Sequence, residues 1–153
     1  MRLTLQADYG LRALMYLTLR SGEVVPIGEV ASAYGVSAHH MTKVGQRLAR
    51  CGYVEQVRGA RGGVRLARDP ASISIGAVVR DLEPSLALVE CFDPDTNTCV
   101  LAPVCELKRI LLAAQKAFLA ELDRHTLADA ARRPRALAAL LIPREALTEG
   151  RRR

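Results

Sequence analysis

Three cysteines fall within fifteen residues of this 153-residue chain, spaced Cys91-x7-Cys99-x5-Cys105 in the stretch ECFDPDTNTCVLAPVCEL. Between the first two, Asp93, Pro94, Asp95, Thr96 and Asn97 are turn formers that bend the chain back on itself. Pro103 suits the first position of a helix, because its missing N–H would have no intrahelical acceptor there. That places Cys105 in the first helical turn, where the macrodipole and free amides favour a thiolate. A loop that gathers three sulfurs is what a soft, thiophilic metal centre needs. Zinc held by three cysteines and a carboxylate, or a metal-free thiol switch, are competing chemistries. The x7 and x5 spacings lack the short Cys-x2-Cys knuckle usual at zinc sites, which counts against zinc. Cys51 is remote from the loop and reads as a small buried hydrophobe.

The elements around this loop read as a DNA-binding domain. The chain carries a formal net charge of +6, and a basic balance attracts polyanions, nucleic acid above all. Half of the residues are hydrophobic, with no tryptophan and six aromatics, so leucine, alanine and valine must fill a mainly helical core. No run of eighteen apolar residues exists to span a membrane. The opening lacks the charged-then-apolar pattern of a signal peptide, and a cytoplasmic location is expected. In that reducing compartment, clustered thiols point to metal or redox chemistry more than to a structural bridge.

Residues 3–20 show helical spacing of Leu11, Leu14, Met15, Leu17 and Leu19, with Thr4 as a cap and Asp8 suited to the dipole. From Pro26, PIGEVASAYGVSAHHMTKVGQRLARCGYV has the features of a helix-turn-helix. Ala31 is small where two helices touch, and Gly35 can take positive φ in the turn. Val30, Tyr34, Val36, Met41 and Val44 supply the apolar offsets, Ser37 caps the second helix, and Gly52 stops it. With Met41, Val44 and Leu48 inward, His39, His40, Thr42, Lys43, Gln46 and Arg47 line the outer face. The early polar residues and Lys43 are placed to read base edges in the major groove, and Arg47 to meet phosphate.

Two short β-like runs, 53–57 and 64–67, flank RGARGG, where Gly59, Gly62 and Gly63 permit a tight hairpin. Arg58, Arg61 and Arg65 make it a basic wing for phosphate or the minor groove. A helix is expected over 72–82. A long helix from Pro103 to about Arg124 follows the cysteine loop, with an apolar stripe broad enough to bury two sides. A second subunit would cover one of them, and two-fold dimers match palindromic operators. The TLAD at Thr126–Asp129 suggests a capping box, Pro134 a break, and ALAALL a last short helix. Ser-His-Asp arrangements, phosphate-cradling glycine loops and paired carboxylates are missing, which argues against an enzyme.

The opening MRLTLQADYGLRALMYL, the helix-turn-helix, the wing RGARGGVRL and three cysteines ahead of a long helix together resemble the NsrR family of nitric-oxide-sensing repressors. That family lies in the winged-helix superfamily that also contains IscR, the iron–sulfur assembly regulator. The resemblance covers residues 1–132. It implies a homodimer whose Cys91, Cys99 and Cys105 hold an iron–sulfur cluster, 4Fe-4S being favoured and 2Fe-2S the alternative. In some NsrR proteins an aspartate of the first helix, from the partner subunit, completes the ligand set, and this falls on Asp8. Arg12, one turn later, would then hold that carboxylate in place. Read without the resemblance, Asp8 is a helix-dipole aspartate. IscR-type proteins use a histidine three residues after the last cysteine; here Lys108 stands there, and a protonated lysine cannot bind iron.

The resemblance thus implies a repressor that grips a palindromic double-stranded operator and releases it when nitric oxide reaches the cluster. The DNA-contacting set is Ser37, His39, His40, Thr42, Lys43, Arg47, Arg58, Arg61, Gly62 and Arg65. The expected organisation is mainly α. It comprises a winged helix-turn-helix domain over 1–82, a cluster-binding loop over 83–102, a dimerisation helix with a short follower over 103–132, and a partly disordered tail over 133–153.

Overall fold

The computed structural model describes residues 2–59 and 61–142, so the EGRRR end, expected to be disordered, lies outside the described residues. Helix α1 spans Leu5–Leu19 and is capped as expected, the Thr4 hydroxyl accepting from the Ala7 N–H at 3.2 Å. Its buried face differs from the leucine stripe. Ala7, Gly10, Ala13, Leu14, Tyr16 and Leu17 are buried, whereas Leu11, Met15 and Leu19 are half-buried at its margins. Tyr16 is fully enclosed, and its hydroxyl donates to Glu29 Oε1 at 2.7 Å. Burial, then the neighbouring Glu29 carboxylate, pushes this phenol up to about 12.

Helices α2 (Ile27–Ala33) and α3 (Ala38–Arg50) form the helix-turn-helix. Gly35 takes φ +62°, its N–H bonds to Ser32 O at 3.1 Å, and the Val36 N–H reaches back to Ala31 O at 3.0 Å. This is a Schellman turn, which needs a left-handed residue and so favours glycine. Gly52, at φ +71°, ends α3 the same way, with Tyr53 N–H on Leu48 O and Gly52 N–H on Ala49 O, both 3.0 Å. Met41, Val44 and Leu48 are buried as expected. Ser37 occupies the N-cap of α3, but its hydroxyl makes no capping bond.

Strands β1 (Val54–Val57) and β2 (Gly63–Leu66) pair antiparallel, Val54 opposite Leu66 and Val57 opposite Gly63. A third segment joins them: Val25 bridges Val64, with N–H···O distances of 2.9 and 2.8 Å. Gly63 therefore belongs to the sheet, pressed against the chain leading into α2. The expected helix over 72–82 divides into a 3₁₀ turn at Pro70–Ser72 and α4 (Ile75–Leu82), because Ser74 caps α4 through the Ala77 N–H.

Helix α5 spans Glu106–Asp123, α6 Leu127–Ala130 and α7 Pro134–Leu141. Thr126 and Asp129 form the capping box reciprocally at 3.2 and 2.9 Å. Pro134 opens α7 rather than breaking a longer helix. Leu127 and Ile142 return to the core beside α1. Helix α5, by contrast, buries none of its residues. No helix among the described residues is long and apolar enough to cross a membrane.

A Cβ on Gly63 would lie 2.2 Å from the Val25 carbonyl oxygen and 2.5 Å from its carbon, both backbone atoms that cannot rotate away. Gly63→Ala should therefore destabilise the fold by roughly 1–3 kcal/mol, the usual range for overpacking. Urea unfolding measures this, and an unchanged midpoint would show that the wing parts from Val25 at no cost.

Candidate cysteine centre and nucleic-acid interface

Beyond α4 the chain makes a 3₁₀ turn at Glu90–Phe92 that packs on α5 and carries Cys91. Glu90 Oε1 accepts from both the N–H and the hydroxyl of Thr98, at 2.5 and 2.6 Å. The two Thr98 donors hold this carboxyl below the ordinary range, because they favour its charged form. Glu90 precedes Cys91 and Thr98 precedes Cys99, so the clamp closes the loop at the first two cysteines. Inside it, Asp93 Oδ1 accepts from Asp95 N–H, and Asn97 Oδ1 from Cys99 N–H, each at 3.0 Å. These Asx turns are the local chemistry that bends the segment.

Cys105 is the N-cap of α5, its Sγ accepting from the Lys108 N–H at 3.4 Å. The helix therefore begins at Glu106, and Pro103 lies in the preceding turns, closed by Ala102 N–H on Cys99 O and Val104 N–H on Leu101 O. Extended geometry at Cys105 (φ −80°, ψ 110°) stops any earlier start. The sulfur still receives a backbone donor at a positive helix end.

All four cysteines are free thiols; Cys99 is exposed, while Cys51, Cys91 and Cys105 are half-buried. Among the described residues, no group of three His, Cys, Asp or Glu side chains stands ready to hold a metal ion. Within one chain, Asp8 pairs with Arg12, Oδ1 to Nε at 2.9 Å, on an open face of α1. The Arg12 guanidinium lies over the rings of Tyr9 and Tyr34, at 5.9 and 5.8 Å from their centroids.

The other surface is basic. Ser37, His39, His40, Thr42, Lys43, Gln46 and Arg47 are all exposed on α3 or at its start. The His39 and His40 rings are 6.1 Å apart and tilted by 48°. The Thr42 hydroxyl donates back to Ala38 O at 2.8 Å, and Arg47 Nη2 to the Asp81 carbonyl at 2.8 Å. On the wing, Arg58 and Arg61 are exposed at the tip, and Arg65 pairs across the strands with Glu55 at 2.8 Å. The Gly62 N–H bonds to Gly59 O at 2.9 Å, and a Cβ there would sit 2.6 Å from Val57 O.

Two features had no local sequence signal. The Tyr53 hydroxyl donates to Asp81 Oδ2 at 2.6 Å, and Glu83 Oε1 accepts from the Thr4 N–H at 2.7 Å. Both join residues far apart along the chain.

Comparison with known proteins agrees with this architecture. The Rrf2 family, described as iron-dependent transcriptional regulators, matches residues 3–133. The HTH-type transcriptional regulator NsrR of Bacillus subtilis is 48% identical over 130 residues, covering 84% of this chain and 89% of that protein. The NsrR of Halalkalibacterium halodurans is 45% identical over 142 residues, covering 92% and 97%. Among solved structures, IscR of T. potens superposes with a TM-score of 0.69 at 28% identity, over 86% of this chain and 87% of that one. CymR, the global cysteine regulator of B. subtilis, does so with a TM-score of 0.72 at 27% identity, over 86% and 97%. These relatives are regulators and not enzymes. An exposed polar face on the second helix of a helix-turn-helix, a glycine-tipped basic wing and this match across most of the chain lead to one conclusion: the protein belongs to the Rrf2 family of DNA-binding transcriptional regulators.

Proposed function

We propose that the protein is a homodimeric repressor of a palindromic operator, in the cytoplasm, that releases DNA when nitric oxide reaches an iron–sulfur cluster on its cysteine loop. The observation that carries this reading is the loop itself. Three free thiols stand on one segment, drawn in at its base by the Glu90–Thr98 clamp, with the third sulfur at a helix N-cap. That donor set suits soft iron better than a hard cation. Cys91, Cys99 and Cys105 would hold the cluster. Asp8, contributed across the dimer, would complete the four protein contacts that such a cluster takes; three cysteines plus one oxygen fit a 4Fe-4S centre, with 2Fe-2S the alternative. The cluster, when bound, supplies iron that reacts with nitric oxide.

The chain's own residues supply the rest. Arg12 holds the Asp8 carboxylate at 2.9 Å, and would orient it were it to serve as a ligand. Among the four residues that would hold the cluster, the Asp8 carboxylate would be the weakest contact to soft iron. Asp8 lies on α1, which packs against α3, so its release reaches the helix that reads DNA.

The support for dimerisation is α5. Leu107 and Ile110 in the first turns of α5 are exposed by 62% and 63%, Val104 just ahead of it by 80%, and the helix has no buried residue. A continuous apolar face of this kind marks an interface. A second copy that covers it places two α3 helices on one side, to meet half-sites about one helical turn apart. Ser37, His39, His40, Thr42 and Lys43 would then face base edges, and Arg58, Arg61 and Arg65 the backbone beside the wing. Gly62 lets the wing tip approach closely.

Three outcomes are expected. Anaerobically prepared protein should bind a duplex selected by it from a random library, and nitric oxide should weaken that binding at least about tenfold, a coupling of ordinary allosteric size. Cys99→Ala should lose both iron and the response; unchanged affinity after nitric oxide would reject the mechanism. In metal-free protein, Glu90→Ala should speed amide exchange at Thr98 about tenfold or more, as its protecting acceptor is lost. Unaltered exchange would show that the clamp does not hold the loop.

A further inference from the structure

The four residues Arg80–Glu83, at the end of α4, bond to α5, the cap of α1, α3 and the wing. Arg80 forks onto Asp123 of α5, Nη1 to Oδ1 at 2.8 Å. Glu83 accepts the N–H of Thr4, the cap of α1, at 2.7 Å. Between them Asp81 makes two bonds to the DNA-reading elements. Its carbonyl accepts from Arg47 Nη2 in the last turn of α3 at 2.8 Å, and its carboxylate from the hydroxyl of Tyr53, at the start of the wing, at 2.6 Å. Tyr53 is 2% exposed, and the Arg68 guanidinium lies over its ring, 4.6 Å from the centroid. Burial and the Asp81 carboxylate push the Tyr53 phenol well above its usual range, so it remains a donor.

The carbonyl that Arg47 takes is one of the last in α4, where a helix leaves acceptors without intrahelical partners and carries negative partial charge. A guanidinium there satisfies an orphan acceptor and complements the dipole. This alters the reading of Arg47 as a phosphate contact, since its side chain is engaged within the protein.

We propose that Asp81 is a positioning residue that fixes recognition helix and wing against one another, with Arg47 serving as its tether to the helix. The two DNA-reading elements then share one anchor, whose chain neighbours hold α5 and the cap of α1. A shift of either is transmitted to both at once. This inference rests on α3 being the reading helix.

A charge-reading and a positioning role separate by salt dependence. Each phosphate contact contributes about 0.9 to the slope of log K against log salt. If Arg47 met phosphate, Arg47→Gln would lower the slope by about that amount per subunit and weaken all DNA alike. As a tether, it should leave the slope unchanged and cut the preference for the selected duplex over a scrambled one by about fivefold or more, the lower end of ordinary coupling. Asp81→Ala removes a negative charge, which by electrostatics alone tightens binding to any DNA. The expected result is again a loss of preference of about fivefold or more. Tyr53→Phe, which removes only the hydroxyl, substitutes for it if Asp81→Ala fails to fold. A shallower slope in Arg47→Gln, or an unchanged preference in either variant, would overturn the proposal. If the triple variant His39→Ala, His40→Ala, Lys43→Ala keeps the preference, the assignment of α3 as reader is what fails.

Discussion

The close approach of α1 to α4 is the contact on which the other elements depend. At Gly10 an added Cβ would lie 2.3 Å from Leu82 Cδ1, and Leu48 of α3 is also in contact range at 3.8 Å. With Ala7 and Ala13 on the same face, α1 presents a small-residue surface that lets α4 come close while α3 packs alongside. From the other direction α6 and α7 close over α1, and Leu127 and Ile142 enter the same core. A helix gripped on so many sides moves as a body. Its outward face carries Asp8 and Arg12, so on the proposed reading a pull on that carboxylate would reach α3, which packs against α1.

Burial is distributed very unevenly along the chain. The first 82 residues and the segment after Thr126 share one core, whereas α5 and the cysteine loop contribute no buried side chain. Leu101 and Val100, 61% and 89% exposed, extend the uncovered apolar surface into the loop itself. In the proposed dimer one second copy would cover α5, shelter the loop and bring a distant carboxylate to it. Surface ion pairs such as Arg109–Glu106 and Arg124–Glu121 add little stability on so open a helix.

How much of this was legible in the sequence depended on range. Gly35 and Gly52 end their helices in the left-handed conformation, and such signals are local enough to read from residue type. The helix-turn-helix, the wing and the capping box at Thr126 were visible for the same reason. The start of α5 was misplaced because cysteine is not a customary cap, and Pro103 offered a more familiar one. On α1 the large leucines drew attention, yet the closest packing uses Ala7, Gly10 and Ala13, which carry little hydrophobic signal. The Val25–Val64 bridge has no periodicity to detect, being one residue pair. Asp81 looked like any acidic residue near a helix end, because Tyr53 and Arg47 reach it only after folding. For the centre proposed at Cys91, Cys99 and Cys105, residue type and spacing point to a soft metal and only the resemblance to iron and sulfide, since donor chemistry narrows a metal but does not name it.

The central claim is that these three sulfurs converge on iron and inorganic sulfide. Iron and acid-labile sulfide, measured on protein purified without oxygen, test it most directly. Both should be present in matching amounts, in a brown sample whose visible absorbance fades with nitric oxide. A colourless protein with one zinc per chain, or with no metal under any preparation, would contradict it and leave a winged-helix DNA binder regulated by other means.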